Sequence, residues 1–315
     1  MNLNYILQRL VTTLMVLLVV TFVVFLIIQL VPGDPARVIL GVQANDENVA
    51  ALRERLGLNE PFFVQYGNWF WNALHGDLGK SLITGQEVSP QLLQRLPATL
   101  QLAAAALLIG MLIAFPLGIL SAVRPGSKLD YGATFLSQIG VAIPDFWMGI
   151  LLILLFSLTL DWLPSRGYTP PSEDLLDWLK HIILPATTLG IISGSIQTRF
   201  IRSAMLEVMN ENYIRTAHAK GLRERLVIIG HALPNAMITI VTIIGLQITS
   251  LLSAVVVIEV VFGWPGLGRL ALEAVLDRDY PLLQGAVLVM AALLTLVNFG
   301  VDMLYFFIDP RIEYV

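Results

Sequence analysis

The chain has 315 residues, of which 56% are hydrophobic and only 13% charged, with a formal net charge of -4. Mean hydropathy is +0.76. An ordinary soluble domain carries about 25% charged residues, so the composition excludes a water-solvated globule and places the chain in lipid. The lack of cysteine excludes disulfides, thiolate metal sites and cysteine nucleophiles, and leaves the compartment open.

Leu10 to Val31 is an uncharged run of 22 residues, and about 20 suffice to cross the hydrocarbon. Gln29-Leu30-Val31-Pro32 offers no small-x-small cleavage site, so the segment reads as a retained first transmembrane helix rather than a signal peptide. The Val31-Pro32-Gly33-Asp34-Pro35 turn stops it. From there to Leu96 the composition is globular. A short helix carries Val49, Leu52 and Leu56, and Pro61 opens another through Phe63, Tyr66 and Phe70. Trp69, Phe70 and Trp71 suit either the membrane interface or packing within this insertion. A separate amphipathic piece, Val88 to Leu96, leads back to the membrane.

A second span is expected from Pro97 to Val123, followed by a basic turn to Asp130. The third, Tyr131 to Leu160, is interrupted at Pro144-Asp145. After a polar loop, Asp161 to Lys180, the fourth runs from Ile182 to Thr198 and holds Gly190 and Gly194 at the spacing that lets helices approach closely. The fifth covers Asn235 to Ile258 and the sixth Pro281 to Phe307. Six spans put both termini on one side. With the N-terminus inside, short inner loops hold ten lysines and arginines, Arg9 to Arg311, against Arg166, Lys180, Arg269 and Arg278 outside, as the positive-inside rule requires. The expected organisation is a first helix (1-33), an external helical insertion (34-96) and a five-helix core (97-315).

Between the fourth and fifth spans lies a charged island, 203-234. Asn212 is the expected cap of a helix from Tyr213 to Lys220, and Gly221 stands where a left-handed residue ends it. A further helix should start near Leu222 and stop or kink at Pro234. So short a helix is marginal alone, since isolated helices below roughly 12 to 15 residues do not hold in water, and it must dock on something. Thr216, Ala217 and Ala219 leave room for close approach, while Arg215, Lys220, Arg223 and Arg225 make the surroundings basic, which suits a membrane-surface helix or a helix pressed into a partner's groove; a plain connector resting on lipid headgroups is the other reading.

This stretch resembles the coupling loop of ABC importer permeases, E-A-A-x3-G-x9-I-x-L-P. Aligned on Gly221, the chain supplies Thr216, Ala217, Gly221, Leu233 and Pro234, with Arg215 in place of Glu and His231 in place of Ile. The run Tyr213, Arg215, Thr216, Ala217, Ala219, Lys220, Gly221, Leu222, then His231, Ala232, Leu233, Asn235 and Ala236, is similar to the peptide, nickel and glutathione branch. So are the P-G-D-P turn, His75-Gly76-Asp77-Leu78-Gly79, the segment Val255 to Gly268 with Trp264-Pro265-Gly266-Leu267-Gly268, Arg278-Asp279-Tyr280-Pro281, Val297 to Asp302, and the final D-P-R-I.

The resemblance implies an all-α integral membrane protein of the type I ABC importer fold, in a bacterial inner or plasma membrane with both termini cytoplasmic. It implies a second, usually non-identical permease, two ATP-binding subunits and an external solute-binding protein that largely chooses a peptide-like solute. Tyr213 to Leu222 would couple to the ATPase. Trp264, Pro265 and Gly266 would belong to an outer gate or to the seat of the binding protein. Read from the residues, Trp264 would anchor its loop at the interface, and Gln247, Thr249, Ser250 and Ser253 would line a path or bond between helices. Read from residues alone, Asp145 and Asp302 are the carboxylates within spans, with a structural role preferred for Asp302. No phosphate-binding G-x4-G-K-S/T, H-E-x-x-H or metal-spaced cluster appears, so no cofactor or catalytic group is expected, and ATP hydrolysis falls to another chain. An ion-coupled secondary transporter is the alternative; it predicts paired midplane charges and an internal repeat, and neither is visible.

Overall fold

The structure is a computed structural model and describes residues 3-30, 35-40, 44-55 and 57-308. These residues are helical throughout apart from connecting turns and one isolated bridge between Lys80 and Glu87. In order, the helices are α1 (Leu3–Leu30), α2 (Pro35–Leu40), α3 (Asp46–Arg55), α4 (Phe62–Leu74), α5 (Val88–Val123), α6 (Lys128–Ala142) and α7 (Asp145–Leu152). They continue with α8 (Leu175–Met209), α9 (Asn212–Ala219), α10 (Glu224–Val227), α11 (Leu233–Phe262), α12 (Leu267–Leu276) and α13 (Tyr280–Ile308). A π-helical stretch, Ile153–Thr159, extends α7, and another, Ile228–Ala232, joins α10 to α11. Among the described residues, five helices are long and apolar enough to cross a membrane, or six with the pair Lys128–Ala142 and Asp145–Thr159, which bends by 105° at Pro144. The expected interruption of the third span is therefore present. The Val31 to Asp34 turn and the final D-P-R-I lie outside the described residues.

Contacts divide the chain into two compact units, Met1–Ala98 with Gly266–Leu296, and Thr99–Pro265 with Val297–Val315. In the first, α4 lies on α1 through aromatic rings: Phe25 meets Phe62, Tyr66 and Trp69 at centroid distances of 5.4, 5.6 and 5.7 Å. The Tyr66 hydroxyl is 2.9 Å from Thr21 Oγ1. Trp69 and Phe70 thus belong to packing within the unit, while Trp71 is exposed. A second apolar cluster gathers Val88, Leu92, Leu267, Leu270, Leu282 and Ala286. Asp279 fastens it: Ser81 Oγ donates to Asp279 Oδ2 at 2.5 Å and the Leu82 amide to Oδ1 at 3.1 Å. The sequence R-D-Y-P is in this way tied to the turn that follows H-G-D-L-G.

The second unit is held by a seam of glycines. A Cβ on Gly190 would stand 2.8 Å from Ile109 Cβ, one on Gly110 2.6 Å from Ser193 Oγ, and one on Gly140 2.0 Å from Ser195 Oγ. Real Cβ atoms do not approach so closely, so α8 receives α5 and α6 at distances only glycine permits. The expected role of Gly190 and Gly194 is borne out, and Gly110 and Gly140 complete it from the facing helices.

Several boundaries differ from expectation for local reasons. Val88 to Leu96 is no separate piece: α5 runs unbroken from Val88 to Val123 past Pro97 and Pro116. The fourth span begins at Leu175, where Asp174 accepts from the amides of Leu176 and Asp177, and continues past Pro185 to Met209. Pro234 does not stop a helix. It occupies the first turn of α11, where no amide donor is required, and its i-4 carbonyl, Gly230, already lies in the widened π turn. The fifth span extends to Phe262, four residues beyond Ile258.

Candidate functional site

The short helix α9 begins one residue before the expected Tyr213: Glu211 has the extended conformation of a cap, and Asn212 is the first helical residue. Gly221 has φ +75°, as anticipated. Its amide donates to the His218 carbonyl at 2.9 Å, and the Leu222 amide reaches back to Ala217 at 3.4 Å. This pair of bonds is a Schellman termination, completed by apolar contact on either side of the turn. Ile214, Ala217 and Leu222 supply that contact by joining a core with Ile201, Met205, Val227 and Ala232. The docking partner that the shortness of α9 demands is, on one face, the chain's own core.

Its other face is open. Tyr213, Arg215, Thr216, Ala219 and Lys220 are exposed, whereas Ala217 is 7% exposed and turns inward. The expectation that Ala217 lies in the docking seat therefore gives way, because the spacing of Ile214 and Ala217 puts both on the buried side. Partial burial, and then the Glu211 carboxylate nearby, hold the Tyr213 phenol above its usual pKa.

The same unit holds a buried ion pair that the sequence reading missed. Asp130, 4% exposed, receives Arg202 Nε at 2.6 Å and Nη2 at 2.8 Å. The Gly126 amide donates to it at 2.9 Å and Ser121 Oγ also donates. One carboxylate thus joins the end of α5, the turn into α6 and the length of α8 that leads to α9. The sequence signal was Ser127 three residues before Asp130: the Ser127 side chain caps α6 by accepting from the Asp130 amide, which makes Asp130 a first-turn helix residue rather than part of a loop.

The far end of α11 repeats the termination of α9. Gly263 has φ +62°, its amide donates to Val260 at 3.3 Å, and the Trp264 amide donates to Glu259 at 2.8 Å. Trp264 is fully buried, edge-on to Tyr168 at 4.8 Å. It is therefore no interfacial anchor, since nothing of its ring reaches a headgroup. Gln101 Oε1 accepts from Tyr168 Oη at 3.3 Å and from Trp178 Nε1 at 3.1 Å. Burial above all raises the Tyr168 phenol pKa. Glu259 is also fully buried and accepts from Thr99 Oγ1 at 2.6 Å. Ending the span at Ile258 hid this carboxylate, although the Val-Val-Phe run after it continues the helix.

Of the expected path residues, Ser250 and Ser253 share an exposed stripe of α11 with Leu246 and Val257. Gln247 and Thr249 are half-buried; Thr249 Oγ1 donates to Asn298 Oδ1 of α13, and Ser253 Oγ donates to the Thr249 carbonyl at 3.3 Å. Pro265 is half-buried and Gly266 buried. Among the described residues, no group of three or more His, Cys, Asp or Glu is placed to hold a metal ion.

Long apolar helices, one of them sharply bent, with a short amphipathic helix between two of them, define the class: a polytopic all-helical membrane protein. Residues 114-314 match the family described as binding-protein-dependent transport system inner membrane component, and residues 2-103 match its N-terminal companion. The chain belongs to this family. The oligopeptide transport system permease protein AppB of Bacillus subtilis (strain 168) is 41% identical, covering 98% of this chain and 99% of its own. The dipeptide transport system permease protein DppB of Alkalihalophilus pseudofirmus is also 41% identical, over 99% and 100%. Among solved structures, an inward-facing MetNI methionine ABC transporter superposes with TM-score 0.59 at 18% identity, over 70% of this chain and 96% of that one. The protein is a multi-pass inner membrane permease subunit of an ATP-driven ABC importer, working with an ATPase and a binding protein.

Proposed function

We propose that this chain passes peptides or related small solutes across the membrane as one of two permease subunits, the second non-identical, powered by two ATP-binding subunits that carry all ATP hydrolysis. The names of the oligopeptide and dipeptide relatives support the solute class. The helix α9 is the coupling helix: its Tyr213, Arg215, Thr216, Ala219 and Lys220 face enters a cleft of the ATPase, and its Ile214 and Ala217 face transmits the movement to the permease core. The observation that carries this reading is the two-sidedness of α9, capped at Gly221, seated on one face and bare on the other. Both termini and 203-234 are cytoplasmic and 34-96 external, on the strength of the short-loop charges. Gln247, Thr249, Ser250 and Ser253 line the solute path, and the Trp264-Pro265-Gly266 segment belongs to the outer gate.

Single cysteines at Thr216 and Ala219 should cross-link to the ATPase subunit in a nucleotide-dependent manner. Cysteines at Gln86 and Asn210 should label from opposite sides of intact cells. Absence of any ATPase cross-link from the bare face of α9, or labelling of both topology positions from outside, overturns the assignment.

A further inference from the structure

Within the second unit, the end of α5, the start of α6 and the α10 to α11 junction line a half-open cavity of about 610 Å³. Its walls are largely apolar, with Leu120, Val123, Leu129, Ile228, Ile229 and Leu233 among the residues that line it. Two cations stand in them, Arg124 and Arg225, and neither has a hydrogen-bond or ion-pair partner among the described residues. Each marks the polar end of a membrane segment. Arg124 follows the last residue of α5 directly, and Arg225 precedes the apolar run that leads through the π turn into α11. The one carboxylate of the wall, Glu224, is engaged with His218, Oε2 to Nε2 at 3.1 Å. A smaller hollow of about 330 Å³ adjoins along the same turn, bringing Arg223 and Gly230. Nothing lies within 4 Å of where a Gly230 Cβ would be, so that flank is open.

We propose that this cavity is a binding site for one anionic phospholipid, its phosphate held between Arg124 and Arg225 and one acyl chain laid along Leu120, Leu129 and Ile229. Three features select this occupant. The charge is complementary: two unpaired guanidinium groups call for an anion, and guanidinium pairs phosphate oxygens with two parallel bonds. The walls below are apolar, which a free phosphate would not use. The level is right, because both arginines stand at the boundary between apolar helix and polar connection, where lipid headgroups lie. The occupant would rest against the π turn that carries Val227 and Ala232 into the core beneath α9, so it would steady the seat of that helix.

The test uses the complete complex in phosphatidylcholine nanodiscs containing a phosphatidylglycerol with a photoreactive acyl chain. Cross-links should map to peptides containing Leu120, Leu129 or Ile229. Unlabelled phosphatidylglycerol should compete, and phosphatidylcholine or inorganic phosphate should not. Arg124→Gln with Arg225→Gln should weaken the labelling by about fivefold for each arginine removed, Arg124→Lys with Arg225→Lys should keep most of it, and Gly230→Leu should reduce it by filling the open flank. Labelling unchanged in the glutamine pair, equal labelling by a phosphatidylcholine probe, or competition by inorganic phosphate overturns the proposal. So does loss of the ATPase or of the second permease in the glutamine pair with lipid labelling intact, which would assign the surface to a protein partner. The readout needs no transport, so its failure is separable from a failure of the assignment of α9.

Discussion

Replacing Asp130 by Asn tests the brace beneath α9. The carboxylate accepts four hydrogen bonds, two from Arg202, one from the Gly126 amide and one from Ser121. An amide of the same shape keeps one acceptor oxygen and presents an NH2 to donors it cannot accept from. At least one charged bond is lost, worth about 1.5 to 3 kcal/mol, and Arg202 is left without its counter-charge. Breaking a fully buried pair costs about 3 to 5 kcal/mol. The Arg202 side chain is 32% exposed, so water offsets part of that, and about 2 to 4 kcal/mol is expected. The assay is thermal unfolding of the purified complex in nanodiscs, with solute-stimulated ATPase measured on the same sample. Stability should fall, and stimulation should fall more steeply than basal hydrolysis, because the pair joins α6 to the part of α8 that leads into α9. Adding Arg202→Met should restore part of the stability by removing the orphaned charge. A double variant no more stable than Asp130→Asn alone, or a single variant with unchanged unfolding, would refute the reasoning.

Gly221→Val meets no steric neighbour, so its cost is the left-handed backbone alone, about 1 to 2 kcal/mol; transport should drop with the protein still inserted, and Gly221→Asn, which tolerates that conformation, should retain most activity. Ala217→Glu places a carboxylate in the core shared with Ile214 and Ile201, an unpaired burial costing several kcal/mol, on the order of 2 to 7 for a neutral polar group and more for a charge. It should therefore lower the unfolding temperature of the purified complex, whereas Ala219→Glu on the bare face should leave unfolding unchanged and weaken only retention of the ATPase in co-purification.

The spans, the break at Pro144 and the turn at Gly221 were legible because each is written locally: an uncharged run of sufficient length, a proline, a glycine after small residues. What stayed hidden depends on partners distant in sequence. Nothing near Asp130 says that Arg202, 72 positions away, will meet it. Glu259 fell just beyond the expected end of the fifth span because charge usually ends a span, and its bond from Thr99 of another helix has no local signature. Ala217 looked like a docking residue because it is small, yet smallness serves equally to pack against the chain's own core. Pro234 looked like a stop because the π turn that absorbs its missing donor has no signature in residue type. Trp264 was placed at a lipid surface by a rule about indoles, and the edge of Tyr168 overrides that rule.

The glycine contacts of α8 bear on how movement passes through the subunit. Turning α5 about its axis by one residue would drive Ile109 or its backbone into α8 at positions where not even one added carbon fits. The helices cannot roll over one another like shafts in bearings; they are keyed, as a splined coupling is. On the coupling role proposed for α9, a push delivered there is expected to travel along α8 as a tilt of the keyed pair rather than as a side-chain rearrangement. An added methyl at Gly110 or Gly190 would act as grit in the spline, stopping the stroke even where the folded state survives.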